Sequence, residues 1–328
     1  MKFVNPKNDV AFKKIFGSED KSEVLIGFLN AVLDLHGDQA IQTIRMRNPY
    51  QTPKIALLKQ SILDIYATDN RGFTFIVEMQ VANIASAFKR FTYYVTKEYS
   101  SQIQSGEDYP KLTPVIFVGI FDFVLFAEVD NSMLANGTAI SDTISADEIP
   151  QTAKYATTPG NIPGTNQADG MTADYKAERK HTYLSCHKLL DEETHQHQLK
   201  DLSFYFIELP KFTKQEDELN HILDKWVYFI RYADDLDVVP THVEEPALQT
   251  AYELANQFSW KKEDLDQYEY RGIKIQDERG ALTLAKEEGR EEGRIEIAKN
   301  MLSLGLSIKQ ITESTGLSAE EIQRIQAK

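Results

Sequence analysis

Two acidic residues occupy positions where a β-strand normally carries an apolar side chain. Asp64 lies within Ile-Leu-Asp-Ile at residues 62–65, and Glu78 lies within Phe-Ile-Val-Glu-Met at residues 75–79. A solvated strand face would tolerate such acids, but burying an unpaired charge in an apolar run is expensive. Carboxylate oxygens are the ligands that a hard divalent cation such as Mg²⁺ prefers. The two acids therefore favour a metal site or a catalytic site.

A β-hairpin is predicted to position these acids. Two runs rich in β-forming residues, 61–69 and 73–80, flank the sequence Asn-Arg-Gly at 70–72. When these three residues form the loop, the glycine takes the left-handed conformation that such hairpins need. This loop pairs Asp69 with Phe73, and it thereby sets the register of the whole hairpin.

The predicted register sets Asp64 directly opposite Glu78, with Cβ atoms about 4.5–5.5 Å apart on one face. Gln80 is two residues further on and shares that face. Opposed carboxylates repel each other unless a positive charge lies between them. A slip of one residue would send the two acids to opposite faces and remove the site.

Composition bounds the function classes. The chain has 328 residues, of which 42% are hydrophobic, so it forms one large domain or two ordinary ones. Its net charge of −14 repels the phosphates of nucleic acid, so DNA binding would need a local basic patch. Cys186 is the only cysteine, and no apolar run is long enough for a membrane span. We expect a cytoplasmic protein without a signal segment, disulfide bonds or membrane partner.

Helical and strand periodicities alternate along the first part of the chain. Helices are predicted over 6–34, with a break at Gly17-Ser18 and an N-cap at Ser18 or Asp20, and over 86–104. A buried central strand is predicted within 114–126, because the run is dense in β-branched and aromatic residues.

The remainder of the chain divides into a polar stretch and a helical part. Residues 127–180 are rich in small and polar residues, and we expect a mostly disordered insertion there. Strand character returns at 182–187 and 202–209, and the chain from 214 onward is helical.

The C-terminal tail resembles a helix-turn-helix. Ser307 and Ser318 are predicted N-caps of two short helices, joined by a tight turn at 315–317. The second helix could bind DNA, but it begins with acidic residues, which slightly favours an assembly module. The preceding helix repeats Glu-Glu-Gly-Arg, and its charges are spaced for pairing between helices. A homo-oligomer through the C-terminal helices is therefore expected.

The order of these motifs resembles one known family. The hairpin acids are similar to the core of PD-(D/E)XK nucleases, and the whole chain resembles the Rpn-type recombination-promoting nucleases and putative transposases within that superfamily. The matching pieces are Asn8 to Gly17, Phe28 to Asn30, Ile62 to Asp64, Val77 to Gln80, Arg90, Tyr94, Gly106 to Tyr109, Glu208 to Phe212, Trp226, the Glu-Glu-Gly-Arg helix and Thr315 to Ser318. The 127–180 insertion has no counterpart in this pattern.

The resemblance implies an α/β fold of the restriction-endonuclease type, with a mixed central sheet flanked by helices and an all-helical C-terminal region. It implies a nuclease-like domain over 1–212, a helical region over 213–270 packed on it, and a charged helix with the helix-turn-helix-like tail over 271–328.

The implied activity is metal-dependent hydrolysis of DNA phosphodiester bonds. Asp64 and Glu78 would hold Mg²⁺ or another divalent cation, which would lower the pKa of a bound water. Gln80 stands where the wider superfamily usually has Lys, and it would position that water. Asp9 is a further ligand in this interpretation, or simply an acid favoured by its place at a helix N-terminus.

Four residues are predicted to contact DNA. Lys13 and Lys14 would bind phosphate, although solvated helix lysines are the alternative. Arg90 and Tyr94 would bind the DNA backbone or else brace the sheet. The rival function is a catalytically silent relative that binds DNA or protein.

Overall fold

The computed structural model describes residues 2–51, 61–82, 86–126 and 181–326. The predicted insertion at 127–180 lies outside these ranges. The described strands are β1 (Ile44–Met46), β2 (Tyr50–Gln51), β3 (Ser61–Ile62), β4 (Ile65–Asp69), β5 (Thr74–Gln80), β6 (Val115–Phe121), β7 (Leu184–Lys188) and β8 (Leu202–Glu208). The described helices are α1 (Asp9–Phe16), α2 (Ser22–Leu33), α3 (Ala87–Ser101), α4 (Ile222–Tyr232), α5 (Pro246–Ala255), α6 (Lys262–Ser303), α7 (Ile308–Thr315) and α8 (Ala319–Gln326).

Six of these strands form a mixed sheet in the order β1-β4-β5-β6-β8-β7. The central strands β5, β6 and β8 are parallel, and the outer pairs β1/β4, β4/β5 and β7/β8 are antiparallel. Strands β2 and β3 pair separately. The parallel strands are the most apolar because helices cover both of their faces. The predicted fold class is confirmed.

The β4–β5 hairpin has the register predicted from its loop. Ile65 pairs with Val77, and Thr68 pairs with Thr74. The backbone N–H of Asp69 donates to the carbonyl of Phe73 over 3.0 Å. Continuing this register by one residue places Asp64 opposite Glu78, so the central prediction of the sequence is confirmed.

Alternating side chains of the sheet enter two separate cores. One core lies under α1, α2, α4 and α5. The sheet residues in that core include Ile65, Ala67, Phe75, Val77, Met79 and Val118. The other core lies under α3, and its sheet residues include Tyr66, Ile76, Val115, Phe117 and Phe121. Because strand side chains alternate between faces, Glu78 and Gln80 of β5 belong to the face covered by α3, and Asp64 lies opposite Glu78 just before β4.

The predicted cap of α2 was wrong. The helix begins at Ser22 and not after Ser18 or Asp20, and Lys21 occupies the N-cap position without a side-chain cap.

The long helix α6 runs without a break through residues 270 and 271, where the sequence suggested a boundary. None of the helices in the described ranges is long and apolar enough to cross a membrane.

The tail forms the predicted pair of helices after α6. Ser307 caps α7 in a capping box with Gln310, and Gly316 ends that helix with φ +70°. The side chain of Ser318 accepts from the backbone N–H of Glu321 over 3.3 Å, which caps α8 as expected. A small separate core of Ala298, Ile311, Leu317 and Ile322 joins these helices to the end of α6.

The loop glycine of the hairpin predicts a stability effect. Gly72 has φ +84°, and a Cβ added there would lie 3.2 Å from Cγ2 of Thr113. We expect Gly72→Ala to lower the free energy of unfolding by about 1–3 kcal/mol, since left-handed backbone is strained in residues with a side chain. Gly106 is the matched control, because its φ is +89° but an added Cβ would meet nothing within 4 Å. Urea unfolding should show a larger loss for Gly72→Ala than for Gly106→Ala; an equal loss would contradict the role of Thr113.

Candidate functional site

The carboxylates of Asp64 and Glu78 each accept a hydrogen bond from the backbone of the facing segment of the hairpin. The backbone N–H of Asp64 donates to Oε1 of Glu78 over 3.1 Å, and the backbone N–H of Met79 donates to Oδ2 of Asp64 over 3.0 Å. Each carboxylate is therefore oriented by the backbone of the opposite strand. This arrangement follows from the hairpin register. Each carboxylate oxygen accepts one hydrogen bond or ion pair and keeps a further lone pair that could bind a cation.

Glu78 differs from the other buried acids in its charge environment. Asp69, Glu98, Glu208 and Asp224 are also buried, and each lies within salt-bridge distance of a lysine or arginine. Among the described residues, no such ion pair reaches Glu78. Of the buried acids among the described residues, Glu78 alone has no lysine or arginine within salt-bridge distance.

The pKa of Glu78 reflects this environment. Burial, together with the negative charge of Asp64, raises the pKa of the Glu78 carboxyl to about 8, against smaller opposing effects of the Asp64 backbone N–H, Arg90 and Lys13. A carboxyl group that is hard to ionise is a ready site for a cation, since the cation removes both the burial penalty and the repulsion.

Gln80 and Arg90 extend the site toward α3. Nη2 of Arg90 donates to Oε1 of Gln80 over 2.7 Å, and Nε2 of Gln80 donates to Oε2 of Glu78 over 3.3 Å. The guanidinium carbon of Arg90 lies 6.0 Å from the ring centre of Tyr94. Burial raises the pKa of the Tyr94 phenol, and the charge of Glu78 adds to that effect. The structure therefore brings Arg90 and Tyr94 to the acids.

Lys13 is the other cation beside the acids. Its Nζ lies 3.2 Å from Oδ1 of Asp64, and its side chain is 42% exposed against 16% for Asp64. A substrate arriving from solvent can therefore reach the ammonium group. The position is set by α1, on which Lys13 follows Asp9 by one helical turn.

Asp9 and Lys14 contact the long helix α6 instead of the two acids. Asp9 accepts from Nε of Arg271 over 2.9 Å, and Lys14 lies 2.5 Å from Asp264 and 4.8 Å from the ring centre of Trp260. These partners belong to α6 or directly precede it. Both side chains join α1 to the long C-terminal helix, and a role in metal or DNA binding stays a prediction.

Asp122 is a site neighbour that the sequence reasoning missed. Its backbone N–H donates to the carbonyl of Gln80 over 2.9 Å, and its carboxylate binds Arg279 of α6 over 2.8 Å. The sequence does indicate this residue, because Asp122 directly follows the buried strand β6. The carboxyl ends of adjacent parallel strands meet at the same edge of a sheet, which places Asp122 beside Gln80.

Comparison with models of known protein families covers most of the chain. The model described as the PD-(D/E)XK nuclease family transposase matches residues 6–155 and 170–285, which is more than half of the chain. The chain belongs to this family. A second model, the C-terminal HTH domain of the Rpn/YhgA-like nuclease family, matches residues 291–327. No curated protein and no solved structure matches the chain.

The family match corrects one expectation about the insertion. The sequence suggested that 127–180 has no counterpart in the family, but the model matches through residue 155 and resumes at residue 170. Only residues 156–169 are left between the two matched parts. Most of the polar stretch therefore belongs to the family pattern.

Proposed function

We propose that this member of the nuclease family is a divalent-metal-dependent DNA endonuclease, with Asp64 and Glu78 as the metal ligands. The observation that carries the proposal is the buried carboxylate of Glu78. In the described ranges it has no lysine or arginine within salt-bridge distance, whereas its neighbour Asp64 pairs with Lys13. A buried carboxylate without an ion-pair partner is costly in a protein that has no use for it. This argues against the rival, a silent relative that keeps the fold only.

The donor set fits Mg²⁺. Within the described ranges, no cluster of three or more His, Cys, Asp or Glu side chains could hold a metal ion. Mg²⁺ commonly binds through one or two carboxylates and completes its shell with water and substrate phosphate. Asp64 and Glu78 supply that number of carboxylates.

The side chains around the acids have distinct tasks in this proposal. A bound Mg²⁺ would polarise the scissile phosphate and acidify a water molecule. Asp64 and Glu78 bind through oxygens that the hairpin backbone already orients. Lys13, half-exposed beside Asp64, binds a phosphate oxygen of the entering strand.

DNA is the partner that the C-terminal domain suggests. Helix-turn-helix domains usually place their second helix in the major groove. In this chain the first turn of α8 carries Glu320 and Glu321, and hydrogen bonds from Ser318 lower the pKa of Glu321. Any base contact would therefore come from the later residues of α8. Self-association through the C-terminal helices stays a prediction of the sequence.

Plasmid cleavage tests the proposed function. We expect the purified protein to nick supercoiled plasmid with Mg²⁺, to be inactive in EDTA, and to lose nicking in Asp64→Asn, which keeps the shape of the side chain. Circular dichroism should show that this variant is folded. Equal nicking by wild type and Asp64→Asn, or none with Mg²⁺, Mn²⁺ or other divalent cations, would contradict the proposal.

A further inference from the structure

Arg90 is turned into the protein and not toward solvent. Its Nη2 donates to Gln80, and its guanidinium carbon lies 5.6 Å from the ring centre of Phe91, which is buried. Its Nε is buried and has no hydrogen-bond partner among the described residues. A buried, unpaired N–H costs about 1–3 kcal/mol. A favourable contact must offset this cost. The hydrogen bond from Nη2 to Gln80 is such a contact.

This contact decides which way the Gln80 amide points. A guanidinium group has only donors, so the atom that faces it must be the amide oxygen. The amide nitrogen of Gln80 then faces the opposite way, toward Oε2 of Glu78 at 3.3 Å. With its oxygen bound to Arg90, Gln80 acts as a hydrogen-bond donor to the carboxylate. An amide has no basic group that could take a proton from water.

The same contact places a positive charge behind the amide. The Arg90 guanidinium is permanently charged, and it polarises the amide whose N–H binds Glu78. A hydrogen bond to the ionised form of a carboxylate favours that form. Arg90 thus acts on the metal ligand through Gln80, although it forms no ion pair with Glu78.

We propose that Arg90 is a positioning residue: it fixes the amide of Gln80 as a hydrogen-bond donor to Glu78 and so orients that ligand for metal binding. The proposal rests on the proposed nuclease function for its kinetic consequence, but not for its structural consequence in the metal-free protein. It replaces the expectation that Arg90 binds the DNA backbone, and it assigns Gln80 to ligand orientation, not to water activation.

Two substitutions separate this role from DNA binding. Arg90→Met keeps the length of the side chain and removes its donors and charge, whereas Arg90→Lys keeps a charged donor. Lys89→Met is the matched control, because it removes one positive charge from the neighbouring, exposed position on α3. We expect Arg90→Met to lower kcat about 10–100-fold, as loss of a group behind a metal ligand commonly does. Arg90→Lys should restore part of that loss, and Lys89→Met should have near-normal kcat.

DNA affinity in EDTA, measured by fluorescence anisotropy over a range of salt, gives the second result. A residue that contacts a phosphate changes the salt slope by about 1 when it is removed. We expect the slope of Arg90→Met to equal that of the wild type. A normal kcat with a raised KM and a reduced salt slope would overturn the proposal and assign Arg90 to the DNA backbone.

The side-chain amide of Gln80 supplies a result that needs no activity. In metal-free protein labelled with ¹⁵N-glutamine, the Gln80 resonances are identified by their loss in Gln80→Leu. We expect them to shift and exchange faster in Arg90→Met, and to be unchanged in Lys89→Met. Unchanged Gln80 resonances in Arg90→Met would overturn the proposal. If wild type does not cleave DNA, the nuclease function fails, but these resonances still decide the role of Arg90.

Discussion

We expect Glu78→Gln to make the metal-free protein more stable at neutral pH and to abolish DNA cleavage. The carboxyl group is 4% exposed, and burial with the charge of Asp64 raises its pKa to about 8 from an ordinary value of 4.5. Between these values the folded protein keeps a proton that the unfolded chain has lost. Folding therefore becomes less favourable as the pH rises through this window.

The size of the gain follows from the pKa shift. Each pKa unit corresponds to about 1.4 kcal/mol, so the stability advantage of Glu78→Gln should grow with pH and reach a few kcal/mol near pH 8. Below about pH 4.5 the two proteins should be alike, because Glu78 is then protonated in both states. Cleavage should fall at least about 10³-fold, since a lost metal ligand removes several kcal/mol of transition-state stabilisation.

A second buried glutamate provides the control for this prediction. Glu98 lies 2.9 Å from Nη1 of Arg47 and accepts from the Tyr66 hydroxyl. Glu98→Gln breaks a buried ion pair and should destabilise the protein. Urea unfolding from pH 5 to pH 9 with EDTA would compare the variants. If Glu78→Gln is destabilised to the same extent as Glu98→Gln, then Glu78 is an ordinary structural carboxylate.

The affinity for Mg²⁺ should increase with pH. A metal ligand binds in its deprotonated form, so binding to Glu78 must first remove its proton. Below the Glu78 pKa of about 8, the association constant should rise about tenfold for each pH unit and level off above it. Each Mg²⁺ bound near pH 6.5 should release about one proton, and almost none above pH 9.

Calorimetry in buffers of different ionisation enthalpy measures both the affinity and the proton release. Asp64→Asn is the control, because it removes the second proposed ligand and the charge that repels Glu78. It should bind Mg²⁺ weakly at every pH. An affinity of the wild type that stays constant between pH 6 and pH 9 would mean that Glu78 is not a ligand.

The amino-acid sequence by itself determined the relative placement of Asp64, Glu78 and Gln80. A strand alternates its faces with a period of two, and a loop with a left-handed glycine at its end allows few registers. Gly72 has φ +84°, and the pairing of Asp69 with Phe73 follows. These constraints act over a few residues, so they can be read from the local order of the chain.

Only the tertiary structure decided which charges surround the acids. Asp9, Lys13 and Lys14 lie on one short helix, yet Lys13 reaches Asp64 while the other two bind Arg271 and Asp264. Those partners are about 250 residues away in the chain. The contact of Arg90 with Gln80 likewise depends on how α3 packs on the sheet. Burial and charge pairing depend on distances between elements, and local periodicity carries no information about those distances.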